Sequence, residues 1–274
     1  MKNFLVVIMI LCGCGLYAQD AGGIINASRN RINADTISTQ SKMIITAKNG
    51  STTERSINQY SKDDASGKNR MIIEFLAPAS VRGTRFLTME NKTGVDDRFI
   101  YLPELNKVRR IAASEGSGSF MGTDMSYDDV ASTDREVDKD THKVLREEAF
   151  GKNVPSREAF DKNTPSAGAG KMCYVIESKP KDASYQYNKM ISWIDKNNYV
   201  TYRLELYDKK DNLQKVFETL ELKDVQGRLS PWVTKMTTLK DGTFTTIYIQ
   251  KLAYDSNIPE GAFTTNYLET GRTK

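Results

Sequence analysis

The chain has 274 residues, of which 39% are hydrophobic and 27% charged, with a formal net charge of +4. Both signs are interspersed, so the small basic excess calls for no nucleic-acid partner; it fits an ordinary wet surface or weak attraction to anionic lipid headgroups. One histidine and three cysteines are too few for a zinc centre, a catalytic triad or a disulfide framework.

At the start, Lys2 precedes an unbroken apolar run, Phe4 to Leu11. The run is too short to span a bilayer and has the form of a secretory signal, with residues 1–19 removed on export. Two exits are open. Leu11-Cys12-Gly13-Cys14 resembles a lipobox, which would leave a lipidated Cys14 as the new N-terminus. Alternatively, a general peptidase cuts near Ala18-Gln19, where Leu16 meets the small-residue rule poorly. Either way the expectation is an exported protein of the periplasm, soluble or lipid-anchored to a membrane, because no second hydrophobic span follows. Export argues against ATP-driven chemistry. Residues 20–274 read as one domain, with no Pro- or Ser-rich linker. Their weakest seam is Gly151 to Gly170, read as an excursion between strands.

Asp20 to Ala34 reads as a helix with Ile24, Ile25, Ala27 and Ile32 on one broad face. After it the chain is almost all strand. Lys42–Lys48 and Ser51–Tyr60 flank an Asn49-Gly50 hairpin turn. Met71, Ile73 and Phe75 alternate with Ile72, Glu74 and Leu76, and Arg85–Glu90 continues the series. Phe99 to Leu102 forms a strand that Pro103 stops, because proline cannot donate to a ladder. Lys107 to Ala112 pairs back. Gly116, Gly118 and Gly122 then break regularity around Phe120 and Met121, which must tuck under their loop or meet an apolar ligand. Ser126-x-x-Asp129 has the form of a capping box opening a short helix. Further strands are Met172–Glu177, Lys189–Asp195, Tyr199–Tyr207, Gln214–Lys223, Trp232–Leu239 and Thr243–Leu252, with polar turns between. In Tyr199–Tyr207, alternation places Val200, Tyr202, Leu204 and Leu206 on one face. Thr201, Arg203 and Glu205 take the other, wet face. The fold class is therefore α+β: a curved antiparallel sheet covered by a few helices, at Asp20–Ala34, around Met125 and near Pro78.

The words IYLP (100–103), VRRIA (108–112), GSFMGTD (118–124) and YDDV (127–130), with PASVRGTRFL (78–87) and DNLQKVFE (211–218), carry a family likeness. The chain resembles the bacterial outer-membrane lipoprotein-sorting proteins, which are similar to the carrier LolA and its receptor LolB, over nearly all of its length after the signal. The resemblance implies an incomplete β-barrel with a helical lid, and acyl chains received between lid and sheet. Each buried CH₂ contributes about 0.8 kcal/mol to such binding. It also implies acylated lipoproteins or lipids as partners, together with an inner-membrane export complex and peripheral contact with a membrane. The expected role is that of a carrier or acceptor, a chaperone for acyl chains rather than an enzyme, with no cofactor. In the family's carrier a lid-facing arginine lies in a basic-Pro-x-x-Phe-x-Trp word. Here Arg70 stands nearest, without that proline or tryptophan.

Lipid contacts are expected at Met71, Ile73, Phe75, Phe86, Phe99, Phe120, Met121, Met190 and Trp193, since Met and aromatic side chains suit an adaptable apolar site. For any one of them a plain packed core is the simpler reading. A charged residue in place of Phe75 or Trp193 is expected to abolish lipid binding if that position lines the cavity. Lys107, Arg109 and Arg110 form a basic cluster for a headgroup or an acidic partner, or else a solvated strand end. Asp124, Asp128 and Asp129 lack the spacing of a calcium loop, and helix capping explains them. Cys173, the cysteine outside the signal, reads as a buried thiol with His142 far from it. The alternative function is a protein-interaction or assembly factor of the envelope on the same fold, which would show a filled interior.

Overall fold

The computed structural model describes residues 20–131, 135–151 and 166–273. The expected signal, Cys14, the Ala18-Gln19 cut and most of the Gly151–Gly170 seam lie outside them. The strands are β1 (Thr36–Thr46), β2 (Thr52–Asp63), β3 (Asn69–Ala77), β4 (Arg85–Met89), β5 (Asp97–Leu102), β6 (Lys107–Arg110) and β7 (Asp140–Ala149). They continue with β8 (Met172–Pro180), β9 (Lys189–Asp195), β10 (Thr201–Tyr207), β11 (Leu213–Val225), β12 (Arg228–Thr238) and β13 (Thr243–Tyr254). All thirteen join one open sheet, in the order β6-β5-β4-β3-β2-β1-β13-β12-β11-β10-β9-β8-β7. Every step but one is a hairpin between consecutive strands. The exception, β1 against β13 (Met43 opposite Ile247), joins the two halves.

Local chemistry sets the turns as expected. Asn49 Oδ1 accepts from the Ser51 amide at 3.0 Å, and Gly50 takes φ +83° in the β1–β2 turn. Pro103 opens a single 3-10 turn between β5 and β6. Two expectations are corrected here. Residues 78–83 form tight turns and not a helix, with the Val81 and Arg82 amides both bonded to the Pro78 carbonyl. The single apolar face of Tyr199–Tyr207 is split as well. Arg203 lies opposite Trp193 and Thr201 opposite Ile194, so Tyr202 is an extra, bulged residue. A one-residue bulge reverses alternation. Val200 and Tyr202 pack with Phe150, Cys173 and Trp193, whereas Leu204 and Leu206 pack with Met190 and Met236. Arg203 and Glu205 are buried and paired to each other at 3.0 Å, not wet.

The two faces are covered differently. On the inner face lie α1 (Ala21–Arg29) and α2 (Tyr127–Ala131). Asp20 caps α1, accepting from the Gly22 amide. Ala21, Ile24 and Ile25 bury their side chains on Tyr174, Ile176 and Ile194 of β8 and β9. The capping box at α2 is formed in full: the Ser126 amide donates to Asp129 at 2.7 Å, and the Asp129 amide donates to Ser126 Oγ at 3.0 Å. On the outer face α3 (Thr265–Thr270), with the turn before it, packs Phe263 and Leu268 on Ile72, Leu87 and Tyr101.

Candidate functional site

The inner face has a filled half and an open half. In the filled half Met43, Ile57, Met71, Ile73, Phe75, Phe86 and Ile100 meet Phe120, which descends from the glycine loop and is fully buried. Its ring centroid lies 5.1 Å from Phe86, 5.9 Å from Phe75 and 5.6 Å, edge-on, from Tyr127. These tilted and edge geometries are the favourable ones for aromatic rings. Met121, partly buried, packs against the same cluster.

Polar bonds pin this loop at three points. Arg55 of β2 donates from Nη1 to the Met121 carbonyl, and its guanidinium lies 5.8 Å over the Phe75 ring. Its Nε is buried without a partner, and burial lowers the guanidinium's pKa. Asp124 accepts from Thr243 and Thr245 of β13 at 2.5 and 2.7 Å. Asp129 accepts from Tyr187 at 2.8 Å and from Lys215 at 2.8 Å. Burial first, and then the Asp129 carboxylate, push the Tyr187 phenol far above its ordinary pKa. The third acid of this group, Asp128, pairs with Arg98. Its carboxylate occupies the space that a side chain at Gly116 would need, which requires glycine there. Each of the three acids therefore ties the loop to the sheet. Among the described residues no cluster of three or more His, Cys, Asp or Glu side chains is placed to hold a metal ion.

The open half is a cavity of about 560 Å³ between α1 and strands β9 to β12. That volume falls within the roughly 300–1,000 Å³ of small-ligand pockets. Ile25, Met190, Ile194, Leu204, Leu206, Phe217 and Met236 line it with apolar surface. Polar groups border it. Arg135 makes a two-pronged contact with Asp140, at 2.7 and 3.1 Å, and lies 4.0 Å over the Tyr185 ring. His142 bonds Ser178 Oγ through Nδ1 and the Val137 carbonyl through Nε2, both at 2.8 Å. The carbonyl can only accept, so Nε2 carries a proton.

Of the residues expected from sequence, Met71, Ile73, Phe75, Phe86, Phe120 and Met121 come together in the filled half, and Met190 lines the cavity. Phe99 and Trp193 are corrected. Phe99 packs on the outer cluster with Tyr60 and Val108. Trp193 lies on the outer face with Val175, its Nε1 donating to Glu148 at 2.7 Å. The basic candidates are surface groups. Arg70 pairs with Asp64 at 2.8 Å, Arg109 with Glu115 and Arg110 with Asp97, each at 2.5 Å, and Lys107 is exposed. Sequence reasoning missed Arg55, Leu206 and Met236 as site residues. Leu204 and Leu206 were readable in the alternation of β10, but only the cover of α1 shows that their face borders open space.

Residues 67–270 match the model of a family described as "Uncharacterized protein". No curated protein matches the chain. Among solved structures, the chain is similar to a DUF1329 family protein from Desulfovibrio piger, with 26% identity, a TM-score of 0.81 and coverage of 92% of this chain and 98% of that one. It is similar to a Vibrio parahaemolyticus domain described as an outer membrane lipoprotein-sorting protein, at 25% identity and TM-score 0.80, covering 92% and 99% of the two chains. A LolA superfamily protein from Nitrosomonas europaea shares the fold at 19% identity and TM-score 0.67, over 90% of this chain and 98% of that one. The open antiparallel sheet with few helices is thus a LolA-like scaffold, and the chain belongs to the uncharacterized-protein family whose model spans residues 67–270.

Proposed function

We propose that the chain is a lipid-binding protein of the bacterial periplasm that holds an acyl chain between α1 and strands β9 to β12, as a carrier or acceptor in sorting lipoproteins to the outer membrane. The observation behind this reading is the apolar cavity of about 560 Å³ under α1. An acyl chain entering it exchanges water for Leu204, Leu206, Phe217 and Met236, at about 0.8 kcal/mol per buried CH₂. The lipoprotein-sorting description of the Vibrio structure points the same way. Acylated lipoproteins or lipids are then the ligands, an inner-membrane export complex the donor, and binding rather than catalysis the activity. Residues 1–19 act as the export signal, and a lipidated Cys14 would fix the protein at a membrane. Met190 stays a contact, and Phe99 and Trp193 give way to Ile25, Leu204, Leu206, Phe217 and Met236. The second reading, a protein-interaction or assembly factor, draws on the half of the inner face that Phe120 fills.

Native mass spectrometry with lipid extraction, on protein purified from its own envelope fraction, tests the two against each other. Released mass matching an acyl chain or lipopeptide supports the carrier. Bare polypeptide, even after incubation with lipoprotein, supports the interaction factor.

A further inference from the structure

The cavity's apolar wall lies between two sets of polar groups. Ile194 pairs with Thr201 at one end of the β9–β10 ladder and Met190 with Leu206 at the other. At the first end Ser28 of α1 bonds Thr201, and beyond it lie Arg29, the exposed Asn30 and Arg31. Toward the other end Met190, Leu206 and Met236 are buried, and beside Met190 lie Ser178, His142 and the Arg135–Asp140 pair, whose cation is already matched by a carboxylate. The exposed Asn30 makes the end at α1's C-terminus a mouth of the cavity.

Arg31 at this mouth is partnered differently from the arginines of the sheet. The arginines buried elsewhere in the sheet face carboxylates: Arg85 with Glu74 at 3.1 Å, Arg98 with Asp128, and Arg203 with Glu205 and Glu218 at 3.0 Å each. Arg55 is the exception, taken up by the Met121 carbonyl and the Phe75 ring in the filled half. Arg31 donates from Nη1 to the Leu229 carbonyl at 2.5 Å, which orients the guanidinium. Among the described residues no carboxylate pairs with it. Burial lowers its pKa, and the opposing influences come from Tyr254 and Tyr202 rather than from an acid. A desolvated guanidinium with donors to spare, beside an apolar cavity, is matched by an oxyanion, which accepts charge-assisted hydrogen bonds.

We infer that the cavity takes a single-chain anionic amphiphile, its chain lying along Leu204, Leu206, Phe217 and Met236 and its oxyanion bound by Arg31 at the mouth. The inference rests on the reading of the cavity as a lipid site and narrows its ligand. One chain fits because the Phe120 loop fills the other half of the inner face. A carboxylate and a phosphate monoester share the required chemistry, so a free fatty acid and a lysophospholipid-like phosphate are its two sources.

The test is calorimetric titration of the delipidated full chain with laurate, dodecyl phosphate and the neutral monolauroylglycerol. Wild type, Arg31→Gln, Arg31→Lys and the cavity-blocking Leu206→Arg are compared. The expected result is that an anionic probe binds wild type roughly tenfold or more tightly than the neutral one, the effect of a charged hydrogen bond. Arg31→Gln should erase that preference, Arg31→Lys should keep part of it, and Leu206→Arg should stop all binding. Whichever anion binds more tightly identifies the source. Equal binding of neutral and anionic probes overturns the role of Arg31 and leaves the lipid cavity standing. No binding of any probe overturns both. Should Arg31→Gln fail to fold, the anionic-to-neutral ratio in wild type and Arg31→Lys still decides.

Discussion

At the scale of single residues, burial decides chemistry more than identity does. Cys173 is fully buried between β7 and β9 on the outer face, and its pKa is pushed up to about 12, by burial first and then by Asp195 and Glu148. The thiol should therefore be almost inert to disulfide reagents at pH 8 and react at the ordinary rate once urea unfolds the chain. The sign for stability follows. An unfolded cysteine ionises near pH 8.5, whereas the folded one holds its proton to about 12. The contribution is complete below about pH 8.5 and is lost as pH rises toward 12. Between pH 8 and 10.5 the urea midpoint of wild type should fall further than that of Cys173→Ala; equal falls would sink the assignment. Trp193 shows the same rule. Its position on the outer face, hydrogen-bonded to Glu148, means that Trp193→Arg should lower stability by several kcal/mol while any surviving folded protein keeps its lipid affinity. Thermal melts paired with a binding titration separate these effects.

At the scale of elements, what local chemistry dictates was legible and what tertiary contacts dictate was not. The Asn49-Gly50 turn, the stop at Pro103 and the Ser126–Asp129 box were readable because their bonds lie within a few residues. The alternation of Met71, Ile73 and Phe75 against Ile72 also held, because β3 carries no bulge between them. The bulge at Tyr202 has no local signature, so the face assignment of Val200 and Tyr202 failed there. Strand β7 was missed because it is an edge, where charged residues such as Lys143, Arg146 and Glu147 replace the hydrophobic pattern. Helix α3 is six residues long and rich in Thr and Asn, too short for a periodic signal. The sequence leaves the glycine loop a choice between tucking under and meeting a ligand, and the structure shows Phe120 tucked. Phe120→Ala should thus cost about 3–5 kcal/mol of unfolding free energy, the range for a buried aromatic. Urea denaturation measures it; a loss below about 1 kcal/mol would mean that the loop is not packed as a plug.

At the scale of the whole molecule, the sheet is open, with β6 and β7 as its two edges, so the inner face depends on separate covers. The Phe120 loop covers one half and α1 the other. The loop is fastened by side-chain bonds from Arg55, Asp124 and Asp129. Helix α1 is held more lightly: by Ala21, Ile24 and Ile25 on β8 and β9, by Ser28 Oγ donating to the Tyr199 carbonyl at 2.7 Å, and by Arg31 on the Leu229 carbonyl. A nine-residue helix is too short to be stable alone in water, and it stays formed only while docked. Of its apolar contacts, Ile25 is buried and also lines the cavity, so Ile25→Arg should undock α1 without touching the sheet's own hairpins. Three measurements should then move apart. Binding of a fluorescent apolar dye should rise as Leu204, Leu206 and Met236 meet water. Retention of an acyl ligand should fall at least tenfold. The main urea transition should shift by no more than about 1–2 kcal/mol, because the Phe120 half remains packed. An acyl ligand retained as tightly by this variant as by wild type would show that α1 is not the wall of the site, and the binding surface would have to be sought elsewhere on the sheet.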